Sequence, residues 1–135
     1  MEASDGTSLR LDFLGDLRRT HRCGGLRASD VGKRVVLMGW VHRRRDLGGL
    51  IFVHLRDRSG ITQVVCNTEL DAAVHARAEA LRSEFVIAVE GPVVRRSQDT
   101  VNPELETGEV EVAVEKLLIL NDARTPPFLI EEDLS

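Results

Sequence analysis

The sequence predicts an all-β fold, a five-stranded Greek-key barrel with one α-helix between strands three and four. Three observations carry that expectation. Five runs rich in β-branched and other apolar residues are separated by Gly, Asp, Ser and Pro turn signals. A single stretch, near residues 69–82, repeats its apolar residues at helical spacing. The chain has 135 residues, 42% of them hydrophobic, which supplies apolar side chains for one core.

Strand one is expected over Arg34–His42, with Gly39 marking a bulge or a sharp bend. A polar loop, Arg43-Arg44-Arg45-Asp46-Leu47-Gly48-Gly49, separates it from strand two, Leu50–Arg56. The period of two in strand two sets Ile51, Val53 and Leu55 on one face and Phe52, His54 and Arg56 on the other. An aromatic ring therefore shares a surface with a histidine and an arginine. Asp57-Arg58-Ser59-Gly60 turns the chain back into strand three, Ile61–Cys66. Thr68-Glu69-Leu70-Asp71 resembles a capping box, and Leu70, Ala73, Val74 and Leu81 then fall at helical spacing, giving a helix from about Glu69 to Arg82. Strand four, Phe85–Val94, contains Pro92, a residue confined to sheet edges and bulges. A long polar loop over 95–108 leads to strand five, Glu109–Leu120, where Val110, Val112 and Val114 alternate with Glu109, Glu111, Ala113 and Glu115. Residues 1–17 read as a flexible tail, 18–122 as the barrel and 123–135, with Pro126, Pro127 and an acidic end, as a linker. Five strands with a helix after the third is the order of an OB-fold. Oligonucleotides lie on that fold across strands two and three and the loops joining strands one to two and four to five.

The charge distribution points to the same surface. The whole chain carries −4, yet from Leu17 to Cys66 eleven cations face three anions, a balance of +8, so the remainder carries −12. Sixteen of the eighteen cations are arginine, whose planar fork suits phosphates and bases. The global charge thus does not exclude a nucleic-acid partner. No run is long and apolar enough to span a membrane, and the first sixteen residues lack the apolar stretch of a secretory signal. Two cysteines, Cys23 and Cys66, form no disulfide framework, and a reduced cytoplasmic protein is expected.

Chemistry of catalysis is absent from the pattern: no nucleophile elbow, no phosphate-binding glycine loop, no dinucleotide fingerprint and no second ligand pair to join His21 and Cys23 around a metal. Binding chemistry is present. Single-strand binders pair a cationic groove with aromatic platforms. Of the five aromatic residues, Trp40 and Phe85 suit the core or rim, whereas the parity of Phe52 places it among polar side chains. Arg43, Arg44 and Arg45 lie in the adjoining loop, and Asp46 can orient one of them. Gln63 offers a donor and an acceptor for a base edge, and Glu111 can accept from the amino and imino groups of guanine.

These residues sit in a set of spaced motifs that closely resembles the N-terminal anticodon-binding domain of bacterial-type aspartyl-tRNA synthetases. The motifs run from Arg19-Thr20-His21-x-Cys23-Gly24 through Gly39-Trp40-Val41-His42-Arg43-Arg44-Arg45-Asp46-Leu47-Gly48-Gly49 and Ile51-Phe52-Val53-x-Leu55-Arg56-Asp57. They continue through Gln63-Val64-Val65, Leu81-Arg82-Ser83-Glu84-Phe85-Val86 and Val101-Asn102-Pro103 to Thr107-Gly108-Glu109-Val110-Glu111-Val112. The resemblance implies recognition of the GUC anticodon of tRNA-Asp. In its terms Phe52 matches the residue stacking on the central uracil, and Arg45 and Gln63 match contacts to the pyrimidines. Glu111 matches the reader of the first base, and Arg96 a contact from the loop after strand four. Leu47 resembles members restricted to tRNA-Asp. The resemblance further implies a homodimeric parent enzyme, with ATP, Mg²⁺ and aspartate handled by a class II catalytic domain beyond the linker, and no catalytic residue, metal or cofactor in this domain. Two other readings stay open: a general single-strand-binding module, and a protein-interaction barrel using an acidic face with Glu104, Glu106 and Glu109.

Overall fold

The computed structural model describes residues 11–69 and 71–122. Strands β1 (Arg34–Leu47), β2 (Leu50–Asp57) and β3 (Gly60–Asn67) form a meander, followed by helix α1 (Ala72–Ala78) and then β4 (Val86–Arg95), β5 (Val110–Ala113) and β6 (Lys116–Asn121). The sheet runs β1-β2-β3-β5-β4, and pairing of β1 with β4 closes it into a barrel. β6 lies against β4 beside the ring. This is the expected OB-fold, with the expected fifth strand interrupted at Val114–Glu115 into β5 and β6.

Closure depends on β1 changing partners. Its first half, Arg34–Trp40, pairs with β4, and from Trp40 to Leu47 it pairs with β2. Gly39 sits at the crossover. A Cβ there would collide with the Arg56 carbonyl of β2, so glycine permits the close approach, while the bulge falls later, between Val41 and Arg43. The barrel is filled by Leu37, Val41, Ile51, Val53, Leu55, Val64, Ile87 and Ile119, each fully buried. Val74, Ala78 and Leu81 from α1 and the turn after it close one end of that core.

Three sequence expectations change. The polar stretch 43–47 is strand rather than loop, because Arg43 to Leu47 find ladder partners from His54 to Leu50, and Gly48 at φ +70° makes the turn. The helix is shorter than expected. Asp71, not Thr68, is its N-cap, with its Oδ1 accepting from the Val74 N–H at 3.0 Å, while Asn67 Oδ1 accepts from the Glu69 N–H at 2.8 Å. The described part of the expected tail, residues 11–17, lies on the barrel. The Asp12 N–H donates to the Ile119 carbonyl (2.7 Å), Asp12 Oδ2 accepts from the Ile119 N–H (2.8 Å) and from Arg77 (2.6 Å), and Leu14 and Leu17 cover an outer apolar cluster. That cluster contains Val36, Met38, Val86 and Ala88, with Trp40 and Leu118 beside it. Residues 1–10 and the expected linker 123–135 lie outside the described residues.

The turn between β2 and β3 is pinned by Asp57, which is 2% exposed and accepts from the Cys23 N–H (2.8 Å), the Ser59 N–H (2.8 Å) and the Ser59 hydroxyl (2.6 Å). Burial works to raise the pKa of this carboxyl, but those donors outweigh it and hold the value below the usual carboxylate range. Cys23 and Cys66 are free and buried, and burial raises the pKa of both thiols, that of Cys66 to about 12. Both pack in the barrel core.

Candidate nucleic-acid interface

Sheet register, more than sequence proximity, assembles the site. On β2, Phe52 and His54 are half-buried and point away from the Ile51–Val53–Leu55 face. The ladders then fix their neighbours. Arg43 pairs with His54, His54 with Gln63, and Gln63 with Glu111, which makes one polar row across β1, β2, β3 and β5. In the next row Arg45 pairs with Phe52 and Phe52 with Val65, so a guanidinium stands beside the phenyl ring. A cleft of about 550 Å³ lies over both rows. Arg43, Arg45, Leu47, Phe52, His54 and Gln63 line its sheet side, and Arg96 with Asp99–Asn102 forms the far wall.

Within the row the polar groups are already ordered. Gln63, 9% exposed, donates from Nε2 to Glu111 Oε1 at 2.8 Å. Opposite, Arg96 is only 6% exposed. Its Nε donates to the Val110 carbonyl (3.2 Å) and its Nη1 to the Thr100 carbonyl (2.9 Å), whereas Nη2 has no hydrogen-bond partner among the described residues. Burial lowers the Arg96 pKa, opposed by the Glu111 charge. The His54 pKa is also lowered, first by burial, which the neighbouring Gln63 side chain opposes, and then by the charges of Arg96 and Arg43. The cleft thus combines exposed cations, a stacking ring and a pre-oriented amide–carboxylate pair.

Seven of the eight sequence-selected residues meet at this surface: Arg43, Arg45, Leu47, Phe52, Gln63 and Arg96 line the cleft, and Glu111 is held by Gln63. Arg44 does not join them. Strand alternation turns it to the opposite face, where Nε and Nη2 donate to the Ala78 and Glu79 carbonyls at the end of α1 (both 3.3 Å) and Nη2 lies 3.5 Å from Asp46. Asp46 accordingly orients Arg44 on the helix side, not an arginine of the cleft. His54 lines the cleft although its parity with Phe52 was the only signal for it. The wall from Asp99 to Asn102 had no residue-level signal beyond its place in the loop after strand four. Its shape comes from a local turn and from the Asn102 N–H donating to the Gly108 carbonyl (3.0 Å).

The family model described as an OB-fold nucleic acid binding domain, the tRNA anticodon domain, matches residues 35–120. This chain belongs to that family. Curated relatives are aspartate–tRNA ligases. The aspartate–tRNA(Asp/Asn) ligase of Desulfosudis oleivorans is 58% identical over 122 residues, covering 90% of this chain and 20% of that protein. The aspartate–tRNA ligase of Geobacillus kaustophilus is 53% identical over 117 residues, covering 87% of this chain and 20% of that one. The chain therefore spans about a fifth of the length of these relatives. Among solved structures, asparaginyl-tRNA synthetase from Pyrococcus horikoshii superposes with a TM-score of 0.64 at 28% identity, covering 88% of this chain and 26% of that one. An OBody bound to hen egg-white lysozyme gives 0.66 at 28% identity over 78% of this chain and 96% of that one. That second barrel is held by a protein, so the fold alone does not choose the ligand. Among the described residues no helix is long and apolar enough to cross a membrane.

Proposed function

We propose that this chain is the anticodon-reading part of an aspartate–tRNA ligase and holds the GUC anticodon of tRNA-Asp in the cleft over β1, β2, β3 and β5. The observation that carries the reading is the row Arg43–His54–Gln63–Glu111 beside the Arg45–Phe52 pair, because it sets cations for phosphates, a ring for stacking and ordered donors and acceptors for base edges on one surface. Phe52 stacks a base, Arg43 and Arg45 hold phosphates and base edges, Gln63 and Glu111 read edges, and Arg96 closes the far wall. Activation of aspartate with ATP and Mg²⁺, and its transfer to tRNA, belong to the remainder of such an enzyme, a cytoplasmic homodimer. Among the described residues no three His, Cys, Asp or Glu side chains gather as metal ligands. Titrating the chain with hairpins of one stem, whose loops carry GUC or only adenines, tests the reading. GUC is expected to bind more tightly, and equal affinities would refute anticodon reading in favour of general single-strand binding.

A second reading extends recognition to GUU, the anticodon of tRNA-Asn. Its support is that the relatives at 54–58% identity include ligases named for both tRNAs. Leu47, 53% exposed at the hairpin tip, is the residue that favours restriction to tRNA-Asp.

A further inference from the structure

The polar face of β2 does not end at the cleft. Phe52, His54 and Arg56 alternate with the buried Ile51, Val53 and Leu55, so Arg56 lies on the cleft side of the sheet, about 13 Å along the strand from Phe52. It is exposed, and among the described residues it makes no hydrogen bond or ion pair. Other arginines of the basic stretch are tied to the protein. Arg27 pairs with Glu106 at 3.0 Å, Arg34 with Glu90 and Glu115, and Arg44 with the end of α1. Arg56 instead keeps its charge and all its donors for something outside the chain.

A second cavity, of about 350 Å³, lies beside it. Arg56, Gly60 and Ile61 line it from the β2–β3 hairpin, and Glu104, Leu105 and Glu106 from the loop before β5. That loop serves both cavities, since its residues 99–102 form the far wall of the cleft. Ile61 and Leu105 give the second cavity half-buried apolar surface. Of its charges, Glu106 is neutralised by Arg27, which leaves one cation, Arg56, and one carboxylate, Glu104. A ribonucleotide matches that set: its phosphate suits the guanidinium, its sugar and base faces suit the apolar surface, and its 2′-hydroxyl is a donor for a carboxylate. Single-strand-binding barrels of this fold engage about 4–16 nucleotides, more than the three of an anticodon. Resting on the anticodon reading above, we propose that this cavity is a second RNA subsite, which takes a loop nucleotide flanking the anticodon and holds its phosphate on Arg56.

The test uses the 135-residue chain and a hairpin with GUC in its loop, made either with ordinary phosphates or with neutral methylphosphonates at the loop nucleotides flanking GUC. Arg56→Gln changes an exposed side chain and leaves the core intact. On the ordinary hairpin it is expected to lower the salt dependence of binding by about 0.7 log per log of salt, the share of one single-strand phosphate. On the neutral-flank hairpin wild type and Arg56→Gln are expected to show the same salt slope and affinities within about twofold. Lys116→Gln removes an exposed cation of β6 that lines neither cavity, and is expected to change neither slope. An unchanged slope for Arg56→Gln on the ordinary hairpin, an equal fall on both hairpins, or as large a fall from Lys116→Gln would overturn the proposal. Equal affinity of wild type for the GUC hairpin and for an all-adenine loop on the same stem would instead overturn the anticodon reading.

Discussion

The two halves of β1 are one continuous strand with opposite fates. From Val35 to Trp40 both faces are covered: Val35 and Leu37 point into the barrel, while Val36 and Met38 lie in the outer cluster covered by Leu14 and Leu17. Beyond the bulge between Val41 and Arg43 the strand keeps its ladder to β2 but loses that double cover, and Arg43, Arg45 and Leu47 stand exposed beside the cleft. The first half is a structural wall and the second a working arm. Arg44 shows how fine the division is, because alternation alone sends it to the end of α1 while its neighbours on either side line the cleft.

The largest effect should come from crossing that division on β2, where alternate residues serve the core and the cleft. Leu55→Ala empties a fully buried site and is expected to cost about 2–5 kcal/mol in urea unfolding. Phe52→Ala, three residues earlier on the other face, is expected to lose about 1–3 kcal/mol of RNA binding. Its unfolding midpoint should barely change. A Phe52→Ala chain that unfolds as readily as Leu55→Ala would erase the distinction between the two faces.

The arginines give a smaller and sharper contrast. Arg45→Ala is expected to reduce the salt dependence of RNA binding by about 0.7 log per log of salt, the share of one single-strand phosphate. Arg44→Ala should leave that slope unchanged and instead cost about 1 kcal/mol of stability, since its hydrogen bonds go to the helix end. A reduced salt slope in Arg44→Ala would place RNA on the helix side as well.

Much of the division was legible in the sequence, because a period of two is a strong signal where one face is apolar. Ile51, Val53 and Leu55 announced the core and thereby set Phe52 and His54 opposite them. The arm 43–47 was not legible. Its charged residues have little strand propensity, and pairing with β2 overrides that weakness. Gly39 was visible as an irregularity, but its reason is the Arg56 carbonyl, brought close only by barrel closure. The strap at 11–17 escaped notice because Asp12, Gly15 and Asp16 break its apolar residues out of any regular period, and Leu14 and Leu17 cover an outer patch of sheet that local pattern does not reveal. In the site, residue types identified Phe52, Gln63 and Glu111, but only register shows that Gln63 and Glu111 are bonded and that His54 completes their row.

The central claim is that one face of the barrel, the row from Arg43 to Glu111 with Phe52 beside it, receives RNA. Mapping backbone and side-chain NMR shifts while a GUC hairpin is added tests it most directly. The account expects the largest shifts at Phe52, His54, Gln63 and Glu111 and in the wall from Asp99 to Asn102, with the strap and the outer cluster around Trp40 unmoved. Shifts centred on the strap or on α1, with the row silent, would contradict it.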